Sequence, residues 1–150
     1  YNYRMTNLQA ALGVAQMEEL PEFIRRKQVN YEQYKDEFEG FAYAMLMPFR
    51  EGTSSNHWFY SVLIDRARIG ASMREIIAAL REEGIQTRAI WGLVNEQKPY
   101  ETEETYQLEK APYYAERIIN IPSSTQITKE EITYVADKVK QLLGSLAGNE

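Results

Sequence analysis

Apolar residues recur at helical spacing through the first part of the chain, and the recurrence changes character partway. Thr6 stands three residues before Gln9, the spacing of a capping box in which hydroxyl and amide satisfy the open N–H groups of a first helical turn. Leu8, Ala11, Leu12, Ala15 and Leu20 then form a narrow, alanine-rich stripe that lets another helix approach closely. Pro21 predicts a break or a re-aimed chain. Beyond it Phe23, Ile24, Tyr31, Tyr34 and Phe38 repeat on one face, with Arg25, Arg26, Lys27, Glu32, Lys35, Asp36 and Glu37 elsewhere, and Gly40 supplies a stop. Residues 1–40 therefore read as an amphipathic helical arm carrying aromatic knobs.

After Gly40 the texture becomes mixed, and residues 41–150 read as a small α+β domain. "FAYAMLMPF" is a short apolar run ended by Pro48, and "REGTSSN" is a polar loop. "HWFYSVLID" has the aromatic and β-branched content of a strand. Ser72 and Glu75 make a second capping box ahead of Ile76, Ile77 and Leu80, and Gly84 ends that helix before a second strand candidate, "IQTRAIW". Strand, helix and strand in that order predict a crossover unit. The stretch from Gly92 to Ala111 has no sustained period and contains Pro99, so it is the best candidate for a site loop. "RIIN" before "IPSSTQIT" predicts a short strand leaving into a turn. Thr128 and Glu131 then cap a last helix bearing Ile132, Val135, Ala136, Val139, Leu142 and Leu143, followed by a tail, "GSLAGNE", expected to fray.

Length and composition narrow the chemistry. A chain of 150 residues can bury roughly two thirds of the surface its unfolded form exposes, enough for one core. A net charge of −5 repels a phosphate backbone, so no nucleic-acid partner is expected. With no cysteine and one histidine, neither thiolate chemistry nor a histidine-rich metal site is proposed. No apolar run spans a bilayer, so the expectation is a cytoplasmic protein with no membrane partner. By residues alone no catalytic set assembles: His57 has no cysteine partner and no nucleophile elbow, and the glycines form neither a P-loop nor a dinucleotide fingerprint. His57 reads as a structural hydrogen-bonder at the head of its strand.

The opening segment, "YNYRMTNLQAALGVAQMEEL", is more specific. It resembles the segment that follows the lysine-bearing region in the pyridoxal-phosphate-dependent nucleotide-sugar aminotransferases named for their DegT and StrS members, where a glycine usually precedes it. The resemblance continues through "NHWFYSVLID", "LREEGIQTRAIWGLVNEQKPY" and "INIPSSTQIT", in the family's order. It implies a fragment: the C-terminal small domain of a fold type I aminotransferase, with a short mixed or antiparallel sheet, helices packed on one face, and an arm leading to a large domain upstream. That large domain would hold the lysine that anchors the cofactor, so no catalytic residue is assigned here and the fragment alone is expected to be inactive. The implied reaction moves an amino group from glutamate to a nucleotide-linked keto-deoxysugar in polysaccharide biosynthesis, in a homodimer with composite sites. Two alternatives remain open: a dehydratase of the same family, decided by a histidine in place of that upstream lysine, and a free-standing α+β interaction or ligand-binding module.

The resemblance also carries site residues over. Asn2 stands where relatives send an asparagine across the dimer to the cofactor phosphate, and an amide N–H is a sensible phosphate donor. Arg4 either supports it through charge-assisted bonds or braces the turn. Asn95 occupies the position of a histidine that faces the substrate in many relatives, keeping a hydrogen-bonding side chain but losing a titratable one. Trp91 either stacks on a sugar or base face or belongs to the core, and Arg88 and Lys98 are candidate partners for the substrate's phosphates. Ser123 and Ser124 are expected to serve turn geometry. Without the large domain, the aromatic face of Phe23, Tyr31 and Phe38 is expected to lie partly uncovered.

Overall fold

A computed structural model describes residues 3–148. The chain runs α1 (Asn7–Phe38), β1 (Ala44–Leu46), β2 (Tyr60–Ile64), α2 (Met73–Glu82), β3 (Arg88–Ala89), α3 (Lys110–Ala115), β4 (Ile118–Ile121) and α4 (Lys129–Leu146), with a 3-10 turn at Val94–Glu96. Thr6, Ser72 and Thr128 each accept from the N–H three residues on, while Gln9, Glu75 and Glu131 reach back to the cap backbone, so three capping boxes start the three long helices. Gly40 and Gly84 follow the helix ends at positive φ, +70° and +76°, a conformation that side chains with a Cβ resist.

The four strands form one antiparallel sheet in the order β1-β2-β4-β3. Ala44 lies opposite Ile64, Tyr60 opposite Ile121, Val62 opposite Ile119, and Arg88 opposite Asn120. Because β2 and β3 both run antiparallel to β4, they are parallel to each other. α2 is thus the helix of a crossover whose two strands are split by β4.

Period-two alternation sends Tyr60, Val62 and Ile64 to one face, each fully buried, with Ser61 and Leu63 half-exposed on the other. α2, α4 and the second half of α1 cover the buried face, contributing Ile76, Leu80, Ile132, Val135, Ala136, Val139, Leu143, Tyr31, Tyr34 and Phe38 to one core cluster. Glu37 fastens α1 to α4 by accepting from Thr133 Oγ1 at 2.7 Å and pairing with Lys140 at 3.2 Å.

Three expectations need correction. α1 is continuous through Pro21, because the carbonyl freed by the missing N–H lies on an exposed turn where water can satisfy it. The aromatic face is covered at Tyr31 and Phe38, which are 6% and 4% exposed and packed against the sheet and α4, while Phe23 is half-buried outside that core. The first half of α1 also exposes apolar side chains, Leu8 and Leu12 on one side of the helix and Val14 and Met17 on the other. The tail is tied at least as far as Ala147, which bridges to the fully buried Ile69.

Candidate functional site

Strand register separates two ends of the sheet. At one end β2 begins and β4 finishes, so Trp58 meets Ser123, whose Oγ donates to the Trp58 carbonyl at 2.9 Å. The segment carrying Trp91, Asn95 and Lys98 leaves from the other end, where β3 finishes and β4 begins.

That segment builds its own shell from backbone turns. Glu96 N–H donates to the Leu93 carbonyl at 3.1 Å, Gln97 N–H to Val94 at 3.1 Å, Tyr100 N–H to Gln97 at 2.7 Å, and Glu103 N–H to Tyr100 at 3.0 Å. Gly92 admits the close return of this loop, since a Cβ there would stand 3.1 Å from Gln97 Nε2. The turns border a largely apolar pocket of about 460 Å³ that opens to solvent, lined by Leu93, Val94, Tyr100, Tyr106 and Leu108 with the half-buried Asn95. Asn95 is the one predicted site residue in its wall. Trp91 is 76% exposed beside it and is no part of the core, while Arg88 on the edge strand β3 and Lys98 in the following turn are both exposed. Glu101, Glu103 and Glu104 give the same loop an acidic rim, which repels a diphosphate and which Arg88 and Lys98 only partly offset.

The N-terminal candidates lie elsewhere. Asn2 falls outside the described residues. Arg4 is exposed just ahead of the Thr6 cap, at a helix N-terminus whose first turn carries no acidic residue. A guanidinium beside the positive end of a helix dipole fits a phosphate group by charge and by donor chemistry. Asn7 and Lys27 lie about 30 Å apart along the axis, and residues 7–21 are exposed all round. Arg4 and the Asn95 cavity of one chain are therefore far apart.

The junction of arm and sheet holds residues that sequence reasoning did not single out. Lys27 Nζ donates to the carbonyls of His57 at 3.1 Å and Trp58 at 2.8 Å, and sits 5.6 Å from the centre of the Tyr60 ring, whose Oη donates to the Lys27 carbonyl at 2.8 Å. Burial holds this ammonium below the usual lysine range. Asn30 Nδ2 donates to the Ser124 carbonyl at 3.1 Å, and Tyr31 Oη to the Met47 carbonyl at 3.1 Å. His57 adopts φ +51° with its ring against Phe49, centroids 4.2 Å apart, and its Nδ1 3.1 Å from the Ser55 carbonyl, the structural role expected of it. Ser124 Oγ accepts from the Gln126 N–H, so the serine pair does shape its turn, while Ser123 adds the bond to Trp58. A signal for Lys27 was present: it lies four, seven and eleven residues before Tyr31, Tyr34 and Phe38, on the buried face.

No helix among the described residues is long and apolar enough to cross a membrane. The profile of the DegT/DnrJ/EryC1/StrS aminotransferase family matches residues 1–140. GDP-perosamine synthase of Escherichia coli O157:H7 is 30% identical over 146 residues, covering 94% of this chain and 37% of that protein. The lipopolysaccharide biosynthesis protein RfbH of Salmonella typhimurium is 26% identical over 148 residues, covering 96% and 34%. Among solved structures, DesI in the presence of its TDP-sugar product superposes with a TM-score of 0.86 at 26% identity, over 93% of this chain and 36% of that one. The chain thus spans about a third of the length of the proteins it matches. From the profile match together with this shared fold, the chain belongs to the DegT/DnrJ/EryC1/StrS aminotransferase family.

Proposed function

We propose that this chain is the C-terminal small domain, with its connecting arm, of a homodimeric fold type I aminotransferase that transfers an amino group from glutamate to a nucleotide-linked keto-deoxysugar. The observation that carries the reading is the separation of Arg4 from the Asn95 loop. The family match runs through both, yet an exposed arm of about 30 Å keeps them apart. Neither closes a site within one chain, as expected of a composite site shared between subunits.

Each group has a chemical role in that scheme. When bound, pyridoxal phosphate supplies the electron sink for amino-group transfer. Asn2 and Arg4 hold its phosphate. Asn95 hydrogen-bonds the sugar at the wall of a largely apolar pocket, Trp91 offers a stacking face, and Arg88 and Lys98 attract the substrate's phosphates. The acidic rim of the loop favours the neutral sugar end of the substrate at the cavity over its diphosphate.

In the intact protein, Asn2→Ala is expected to release pyridoxal phosphate faster than wild type at an unchanged thermal midpoint of the cofactor-free form. Equal retention by both proteins removes Asn2 from the site. The 150-residue chain alone is expected to transfer no amino group and to develop no stoichiometric, lysine-dependent visible absorbance with pyridoxal phosphate; such absorbance would place the anchoring amine here and refute the division of labour.

A further inference from the structure

Lys27 ties α1 to the loop that enters β2, and before it residues 7–21 of the helix are exposed. We propose that Lys27 is a positioning residue: its bonds to the His57 and Trp58 carbonyls fix the direction of the arm and so set where Arg4 and Asn2 are delivered. The inference rests on the reading of those two residues as phosphate contacts.

The anchorage is directional. Two carbonyls converge on one ammonium from a turn that is itself braced, by Ser55 Oγ accepting from His57 N–H at 3.0 Å and Asn56 Oδ1 accepting from Trp58 N–H at 3.1 Å. Ser123 Oγ donates to the same Trp58 carbonyl at 2.9 Å. Lys27 makes no ion pair among the described residues, so its charge is spent on these dipoles. A few residues on, Asn30 and Tyr31 bond to two further loops and Gln33 to the start of α4, its Nε2 donating to the Lys129 carbonyl at 2.9 Å.

The clamp works as a lever. Lys27 lies about 9 Å from Gln33 along the helix, and Asn7 about 39 Å from it, so a shift of about 0.5 Å at Lys27 moves the helix start by about 2 Å. Displacements of about 1 Å in a site contact can cost about a hundredfold in function.

The chain has no cysteine, so Leu12→Cys and Gln141→Cys provide unique spin-label sites on the arm and on α4. With labelled chain diluted into excess unlabelled chain, Lys27→Met is expected to broaden the distance distribution about twofold, and Lys27→Arg, which can also serve two carbonyls, to restore it. In the intact protein Lys27→Met is expected to release pyridoxal phosphate about tenfold faster, and Lys27→Arg at close to the wild-type rate. If Lys27→Met fails to fold, Asn30→Ala combined with Ser123→Ala loosens the same clamp and must broaden the distribution. An unchanged distribution, or unchanged cofactor release, overturns the proposal. Asn2→Ala then tells the two failures apart: faster release from it condemns the clamp alone, and unchanged release condemns the phosphate reading as well.

Discussion

Tyr34 and Tyr60 are fully buried neighbours, ring centroids 5.5 Å apart, and their hydroxyls meet opposite fates. Tyr60 Oη donates to the Lys27 carbonyl at 2.8 Å, whereas Tyr34 Oη has no hydrogen-bond partner among the described residues. Replacing either by phenylalanine keeps the ring and deletes one oxygen, so hydrogen bonding dominates the difference. Tyr60→Phe forfeits a made bond and is expected to cost about 1 kcal/mol. Tyr34→Phe removes a buried orphan and is expected to gain about 1 kcal/mol, since the folded state no longer bears its desolvation. The variants should then differ by about 2 kcal/mol, or about 4–8 °C in thermal midpoint for a chain of this size. Urea unfolding followed by circular dichroism, with equal m values across the series, isolates the stability change. The touching rings require the double variant, whose departure from additivity measures their coupling. If Tyr34→Phe destabilises as much as Tyr60→Phe, the Tyr34 hydroxyl has a partner and the reasoning is refuted.

The same pair governs the alkaline limb. Burial raises both phenols above the ordinary tyrosine value, with the nearby Tyr60 and Glu131 adding to the effect at Tyr34. Native tyrosines that keep their protons longer than unfolded ones give stability that is whole below about pH 10 and falls as pH rises past it. The urea midpoint should drop there and drop less in the double phenylalanine variant; a flat midpoint in wild type would contradict the burial argument. The exposed arm makes a third expectation: the chain alone should self-associate through Leu8 and Leu12, neighbours on one side of the helix that are 82% and 64% exposed, and Leu8→Glu with Leu12→Glu should restore a monomer. Sedimentation that finds wild type monomeric at high concentration would count against it.

What the sequence disclosed was local. Each capping box is a relation between residues three apart, and all three helix starts were legible for that reason. The glycine stops and the crossover order were legible on the same scale. What escaped depends on distant partners. Lys27 finds Trp58 thirty-one positions away, and its charge disguised it as surface. Pro21 was read by its usual effect, which exposure of the neighbouring turn relieves. The "IQTRAIW" stretch kept only Arg88 and Ala89 in the sheet, because β4 had to be in place before an edge strand could pair at all. The aperiodic loop was legible as an anomaly, but its cavity arises from turns within it and from Gly92, which no hydrophobic pattern records.

The strand order also dictates a timetable for synthesis. β4 is the last strand made yet occupies an inner place between β2 and β3, so until Ile121 has left the ribosome only the β1–β2 ribbon can form. The nascent chain must carry one side of β2 without a neighbour while residues 65–121 are made, and the whole of β3 while residues 90–121 are made. Pairing over such separations is slow, so the sheet closes late, when β4 inserts between two waiting edges.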